Sequence, residues 1–478
     1  VFSVNVSTKE ELHLFSQVLQ KYLSPTEVEQ LARTTEFVRR RSKCRGQDLV
    51  TLCVWLSHNL ASTSLTQLCS ELEAATGISM SAEGLNQRLN EQAVSFLRRL
   101  FAQLLKAELS SSCVLPTKYQ DVFTRIRILD STSFQLPDSL ADHYPGSGGS
   151  SHAAGAKIQL EYDLYSGQFL NVDMGAGKGN DRLFNPACFP TLQPRDLCIR
   201  DLGYFSLDNL KQIDQQRAFY LSRLPLKNRI YQKNPVPEFH GNGAIKKKTE
   251  YLLLDLEEKM NQMKPEETTE IRDAFIGYKK LPARVILYRL TDVQVKKRRK
   301  NQDFKEQKKG KELSDKRKRL TGINVYITNI AWDIVPKEHI HPLYSLRWQI
   351  EIVFKTWKSF FQIDRCKNVK RERLECHLYG QLIAILICSS TLFQMRVILL
   401  RKSRMEVSEY KAFYIIQTYL PLFHQAIQKN TQAYAKILLR LFHQLKKNGR
   451  KSHRYKKKTI FDILGVVYEY SLSTAKVA

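Results

Sequence analysis

No C-x-x-C pair occurs in the chain, and its nine cysteines, at 44, 53, 69, 113, 188, 198, 366, 376 and 388, are scattered and odd in number. That pattern excludes a disulfide framework and a cysteine-built zinc site, and it suits a reducing compartment. A complete phosphate-binding loop is missing as well. "GSGGSS" (Gly146 to Ser151) has no Lys, and "GAGKGND" (Gly175 to Asp181) has Gly179 where Ser or Thr must follow Lys178. An NTPase is thereby set aside. The opening "VFSVNVSTKEELHLF" has neither a basic n-region nor a cleavage site, so no signal peptide is expected. No repeat of solenoid period is present. Long apolar runs are scarce. The longest, "LYGQLIAILICSSTLFQMRVILL" (Leu378 to Leu400), is broken by Gln381, Ser389, Ser390, Gln394 and Arg396, which predicts a buried helix rather than a membrane span.

Negative charge is also in short supply. Lys and Arg number 75 against 47 Asp and Glu, a net charge of +28. A folded protein this basic repels itself unless it meets a polyanion, and nucleic acid is the expected one, ahead of an anionic membrane surface. The 478 residues suffice for roughly three domains, and 43% hydrophobic residues with 10% aromatics are enough for real cores.

Apolar spacing is helical up to about residue 116. Within it, "LTQLCSELEAATGISMSAEGLNQRLN" (Leu65 to Asn90) reads as helix, Gly-containing turn and Ser-opened second helix. It is either a helix-turn-helix presenting Gln87 and Arg88 to DNA or a plain helical hairpin. The pattern then changes. "RIRILDSTSF" reads as a strand ending near Asp130, and "AKIQLEYDLYSGQFLNVDMG" as a hairpin turning at Ser166-Gly167. "NDRLFNPACF" suggests a short helix, "DLCIRDLGYF" a strand ending at Asp201, "SLDNLKQIDQQ" a helix and "AFYLSRLP" a strand. This succession is an α/β layer. Further strands are expected at "EYLLLDL", "ARVILYRL" and "GINVYITNI". Between the last two lies a loop, Lys296 to Arg319, with thirteen Lys or Arg against four Asp or Glu. Its opening run of Lys296, Lys297, Arg298, Arg299 and Lys300 is expected to meet phosphates. After Phe361 the chain reads as helical to the end, with a second basic cluster at Lys446 to Lys458.

The chemistry is carried by carboxylates. Asp130 and Asp201 each fall at the expected C-terminal end of a strand, the edge where open α/β sheets collect ligands, although Asp is also common in turns. A third acid, Glu351, lies in "YSLRWQIEIVFKTWKSFF" (Tyr344 to Phe361). Read as one continuous helix, that segment carries Tyr344, Arg347, Glu351 and Lys358 in a stripe roughly 60° wide and about 21 Å long. Leu346, Ile350, Val353, Phe354, Trp357, Phe360 and Phe361 form the face toward the core. Three converging carboxylates repel one another unless they hold a divalent metal, and hard oxygen ligands suit magnesium or manganese.

The segment matches the Y-x2-R-x3-E-x6-K signature at every defined position. With Asp130, Asp201 in "RDLGYF", and Glu351, the chain resembles the ribonuclease-H-like DDE transposases of bacterial insertion sequences, in the family called "insertion sequence four". The likeness covers residues 120–400. It implies an α/β ribonuclease-H-like core interrupted by a β-rich insertion and flanked by helical regions. The expected parts are 1–116 (DNA-binding helices), 117–226 and 337–400 (the two parts of the core), 227–336 (the insertion with its basic loop) and 401–478 (basic helices, a candidate dimer interface). It implies Asp130, Asp201 and Glu351 as catalytic metal ligands for two Mg2+ ions, with Mn2+ able to substitute. Tyr344, Arg347 and Lys358 become phosphate contacts.

Trp348, beside the stripe, is placed to stack on a flipped base. Either Tyr326 or Trp332 would be its aromatic partner, with core packing the expected role of Trp332. The implied activity is cut-and-paste transposition by a homodimer acting on double-stranded terminal inverted repeats and target DNA, through hairpin ends, in the bacterial cytoplasm near the nucleoid and without a membrane. A structure-selective nuclease on the same fold and a catalytically dead DNA-binding repressor are the alternatives.

Overall fold

The computed structural model describes residues 7–40, 44–56, 59–107, 109, 115–148, 153–310, 312, 314–453 and 458–471. Residues 149–151 of the "GSGGSS" segment, Cys113, and residues 454–457 of the second basic cluster lie outside these. The other eight cysteines are free.

The chain divides into two compact units. The first comprises Val1–Lys118, Ser131–Gly179 and Gln349–Ala478; the second comprises Tyr119–Asp130 and Asn180–Trp348. Among the described residues ten strands form: β1 (Arg125–Leu136), β2 (Ala154–Asp163), β3 (Phe169–Ala176), β4 (Asp196–Arg200), β5 (Phe219–Arg223), β6 (Ile230–Lys233), β7 (Tyr251–Leu253), β8 (Thr268–Ile276), β9 (Leu281–Arg289) and β10 (Ile323–Thr328). Strand β1 belongs to both units, its residues through Asp130 to the second and those from Ser131 to the first.

The first unit is mainly helical. Ser7, Ser24, Ser64, Ser81 and Asn90 each accept a backbone amide at a helix start, so five of its N-termini are capped by residues the sequence displays. The expected helix-turn-helix segment forms two helices, Leu65–Thr76 and Ala82–Arg88, with Gly77 in the left-handed region at φ +72 between them. The long apolar run sits in a helix, Arg371–Ser403, whose most apolar window is wholly buried in protein. Helix Glu91–Lys106 and the π-helical turn Thr51–Leu56 pack on it. At Gly380 a side chain would stand 2.5 Å from the Cys53 carbonyl oxygen, so only glycine permits that approach. The predicted hairpin is β2–β3, antiparallel, and Gly167 in its turn (φ +68) lies against the Phe393 ring, with no room for a Cβ.

The second unit is a sheet in the order β1-β4-β5-β10-β9-β8-β6-β7. Strands β1, β4 and β5 are parallel and the rest pair antiparallel. Alternate residues such as Val285 and Leu287, or Val325 and Ile327, point into one core with Ile213, Tyr220 and Ile271. At the start of β4, the fully buried Asp196 accepts from Arg127 Nη1 at 3.0 Å and from Arg125 Nη2 at 2.6 Å, both on β1. This buried ion pair fixes the β1–β4 register.

The basic segment differs from expectation. It is no loop: most of it is helix, Asp292–Lys309, followed by Asp315–Arg319. Apolar periodicity is absent, so the spacing does not announce a helix. Instead Thr291 and Gln294 form a reciprocal capping box, and Gly310 (φ +58) closes the C-terminal end.

Candidate active site

The pairing of β1 with β4 runs from Arg125 opposite Asp196 to Leu129 opposite Arg200. Asp130 and Asp201 are the next residue on each strand, so they occupy neighbouring positions, with adjacent strands about 4.8 Å apart. Asp201 leaves β4 as the N-cap of the short 3-10 turn Leu202–Tyr204. Asp130 is not at a strand end, because β1 continues to Leu136. It stands where the parallel ladder with β4 stops, which serves the same purpose.

Arg347 joins the two. Its Nη1 is 2.8 Å from Asp130 Oδ2 and its Nε 3.7 Å from Asp201 Oδ1. The guanidinium is nearly buried (11% exposed), while the Asp130 and Asp201 side chains keep 20% and 41% of their surface. Tyr344 is buried beside them. Its hydroxyl donates to the Arg200 carbonyl oxygen at 3.4 Å and its ring lies 5.2 Å from that of Tyr326. Burial, and then the Asp201 charge, hold the phenol well above its ordinary pKa, so it remains a donor.

The signature is not one continuous helix. Residues Lys337–Ser345 form one helix and Trp348–Ser359 another. Between them, the amides of Leu346 and Arg347 bond three residues back, to Leu343 and Tyr344, which closes the first helix before the second begins. The straight 21 Å stripe is therefore broken at Arg347. Glu351 and Lys358, seven residues apart on the second helix, still share a face. Both belong to the first unit, where Glu351 is partly buried and Lys358 Nζ donates to the Ser133 carbonyl oxygen at 3.0 Å. Of the predicted site residues, the structure gathers Asp130, Asp201, Arg347 and Tyr344 within the second unit. Among the described residues, no group of three or more His, Cys, Asp and Glu is arranged to hold a metal ion.

The aromatic candidates separate. Tyr326 is 1% exposed, and its hydroxyl pairs with His341 Nδ1 at 2.6 Å. Burial lowers the His341 pKa to about 4, so the imidazole is neutral at pH 7. Trp332, expected in the core, is instead 52% exposed, under the Arg272 guanidinium 4.2 Å from its ring centroid. Its sequence setting, just after the β10 strand, gives no sign of this exposure. Trp348 is 60% exposed, with the Arg347 guanidinium carbon 5.7 Å from its ring.

The basic residues separate too. Arg88 lies 5.9 Å from the ring of Phe37, in the bend that follows helix Pro25–Thr34. Lys296, Lys297, Arg299 and Lys300 are exposed. Arg298 is turned inward, donating to the carbonyl oxygens of Thr321 (3.0 Å) and Ile323 (3.3 Å) and to Asn324 Oδ1 (2.8 Å). Burial brings its pKa down to about 10. It is a structural anchor among solvent-facing cations.

Within the second unit, parallel β1, β4 and β5, with acids where the first parallel ladder ends, fit the α/β layer that the resemblance to ribonuclease-H-like enzymes implies. The Transposase DDE domain family matches residues 121–387. The transposase for insertion sequence element IS231C of Bacillus thuringiensis subsp. berliner is 56% identical, with 98% of each chain covered. That for IS231F of B. thuringiensis subsp. israelensis is 53% identical over the same share. The transposase for IS1151 of Clostridium perfringens is 33% identical, covering 98% of this chain and 99% of its own. The chain belongs to the DDE transposases of insertion sequences, metal-dependent enzymes that cleave and join DNA.

Proposed function

We propose that Asp130, Asp201 and Glu351 are the catalytic carboxylates of a cut-and-paste transposase that frees transposon ends through hairpin intermediates and joins them to target DNA. The observation that carries this reading is the β1–β4 register, which sets Asp130 beside Asp201 with Arg347 across both. Two hard carboxylates already drawn to one cation are a donor set suited to Mg2+ or Mn2+, and Glu351 would complete it. Bound there, two such ions would neutralise charge at phosphorus and make water acidic enough to act as nucleophile.

The chain's own residues do the positioning. Arg347 offers a planar fork that can pass from the aspartates to a phosphate, Tyr344 a protonated hydroxyl, and Lys358 a mobile point charge. Trp348 and Trp332 present indole surface on which an extruded base can stack. Residues 227–336 would be the insertion that brings Trp332 and the basic helix to DNA. Two ends must be held together, so a homodimer on DNA is implied.

The test is the product. With duplexes carrying the element's terminal inverted repeats, Mg2+ and a target plasmid, hairpin-ended and then target-joined DNA should appear. The Asp130→Ala enzyme should make neither. Broken ends that never join would make the chain a nuclease. Binding without any strand scission would make it a repressor.

A further inference from the structure

Strands β6 and β7 pair over three residues, but the hairpin they begin runs on. Asn234 N donates to the Glu250 carbonyl oxygen at 2.9 Å, Lys246 N to that of Glu238 at 2.8 Å, and His240 N to that of Ala244 at 2.8 Å. Phe239 bridges Ile245 as an antiparallel pair. Gly243 (φ +80) makes the turn possible. The Asn234 side chain braces the base, donating to the Thr249 carbonyl oxygen at 2.7 Å and accepting from Val236 N at 3.1 Å. Among the described residues, the hydrogen bonds of 234–250 stay inside the 230–254 hairpin. The segment is an internally bonded finger.

Its surface does not suit water. Val236 is 81% exposed, Phe239 56% and Ile245 43%. Cross-strand partners stand on the same face of a hairpin, so Phe239 and Ile245 form one apolar pair. Lysines surround it: Lys233 at the base, then Lys246, Lys247 and Lys248, against two acids, Glu238, which Lys246 meets at 3.0 Å, and Glu250 at the base of the finger. A second copy of a chain with net charge +28 would bring like-charged fingers together. Duplex DNA answers both features at once. Its phosphates take the lysines, its grooves admit a two-stranded ribbon, and its base steps accept an apolar wedge.

We propose that the 234–250 finger is a DNA-wedging arm, with Lys247 and Lys248 on phosphates and Phe239 and Ile245 pressed against a base step that they partly unstack and bend. It is separate from the carboxylates and from the basic helix at Lys296.

Two double variants of the full chain test it on a mixed-sequence duplex labelled at both ends for energy transfer. K247Q/K248Q should flatten the log–log salt dependence of binding by about 1.8. F239A/I245A should keep the slope, bind about tenfold more weakly, and lose the end-to-end shortening that reports a bend. Both should melt like the parent, since the side chains removed are exposed. An unchanged slope in the first, or parental affinity and bending in the second, overturns the proposal. So does an F239A/I245A protein that bends DNA normally but sediments as a smaller species, which would assign the surface to a second copy.

Discussion

Strands β1 and β4 carry aspartate–arginine clusters at both ends of their shared ladder, and the two clusters behave in opposite ways. At the beginning, Asp196 meets Arg125 and Arg127, with Asp196 and Arg127 wholly buried. Every direction is taken: Arg127 also donates to the carbonyl oxygens of Thr191 at 2.7 Å and Cys188 at 3.1 Å, and Asp196 accepts from Gln193 N at 2.9 Å. At the far end, Asp130 and Asp201 share Arg347 while keeping surface for a ligand. The same pair of residue types holds strands in register where water is excluded. Where water still reaches it, it is the proposed site, one whose cation would be exchanged.

The largest effects should separate the two ends. Asp130→Ala, Asp201→Ala and Glu351→Ala should each lower cleavage by at least about a thousandfold, while end binding and melting temperature stay near the parent. Gel-resolved cleavage alongside calorimetry checks this. A variant that cuts at near the parental rate removes that residue from the site. Asp196→Ala should do the reverse. It leaves Arg127 as an uncompensated buried charge and should cost about 3–5 kcal/mol in denaturant unfolding. If Asp196→Ala unfolds like the parent, the register argument fails, and the placement of Asp130 beside Asp201 needs another cause.

A smaller effect probes the exchangeable cation. Arg347→Ala should weaken end binding and cut about a hundredfold more slowly, because both phosphate positioning and the aspartates' partner are lost. Arg347→Lys should recover affinity but not rate, since a point charge cannot span two acceptors as the fork does. Measured Kd and single-turnover rates distinguish the two; full rescue by Lys would reduce the role to charge alone.

Much of this arrangement was legible beforehand. The strands β1 to β5, the hairpin turn at Gly167 and the spacing of Tyr344, Arg347, Glu351 and Lys358 all follow from alternation, turn residues and motif. What failed did so for physical reasons. The helix break at Leu346-Arg347 has no Gly or Pro to announce it; only the backbone bonds three residues back reveal it. The Asp292–Lys309 helix lacks an apolar face, so periodicity is silent and only its caps speak. β8 and β6 go unannounced in the sequence because short or interrupted alternation resembles loop. Trp332 was expected inside because large aromatics usually are, whereas here Arg272 covers it from outside.

The basic helix repeats the lesson of the two clusters on a single turn, and it carries the smallest expected effect. At about 100° per residue, Lys296, Lys297, Arg299 and Lys300 spread around one side of the helix, and Arg298 falls opposite their centre. The four cations face solvent, where we propose they meet phosphates, while Arg298 is occupied with Thr321, Ile323 and Asn324. Each phosphate neutralised releases condensed counterion, giving a log–log salt slope of about −0.9 per contact on duplex DNA. Replacing the four with Gln should therefore flatten the slope by about two units or more. Specific and random duplexes should lose affinity alike, because phosphate contacts carry no sequence information. Arg298→Gln should leave the slope alone and lower the melting temperature instead, since it strips donors from buried carbonyls. Binding isotherms at several salt concentrations, paired with thermal melts, decide between them. A four-residue variant with the parental slope would return this helix to a solvated charge run, and an Arg298→Gln protein with a flattened slope would move that residue from the anchors to the contacts.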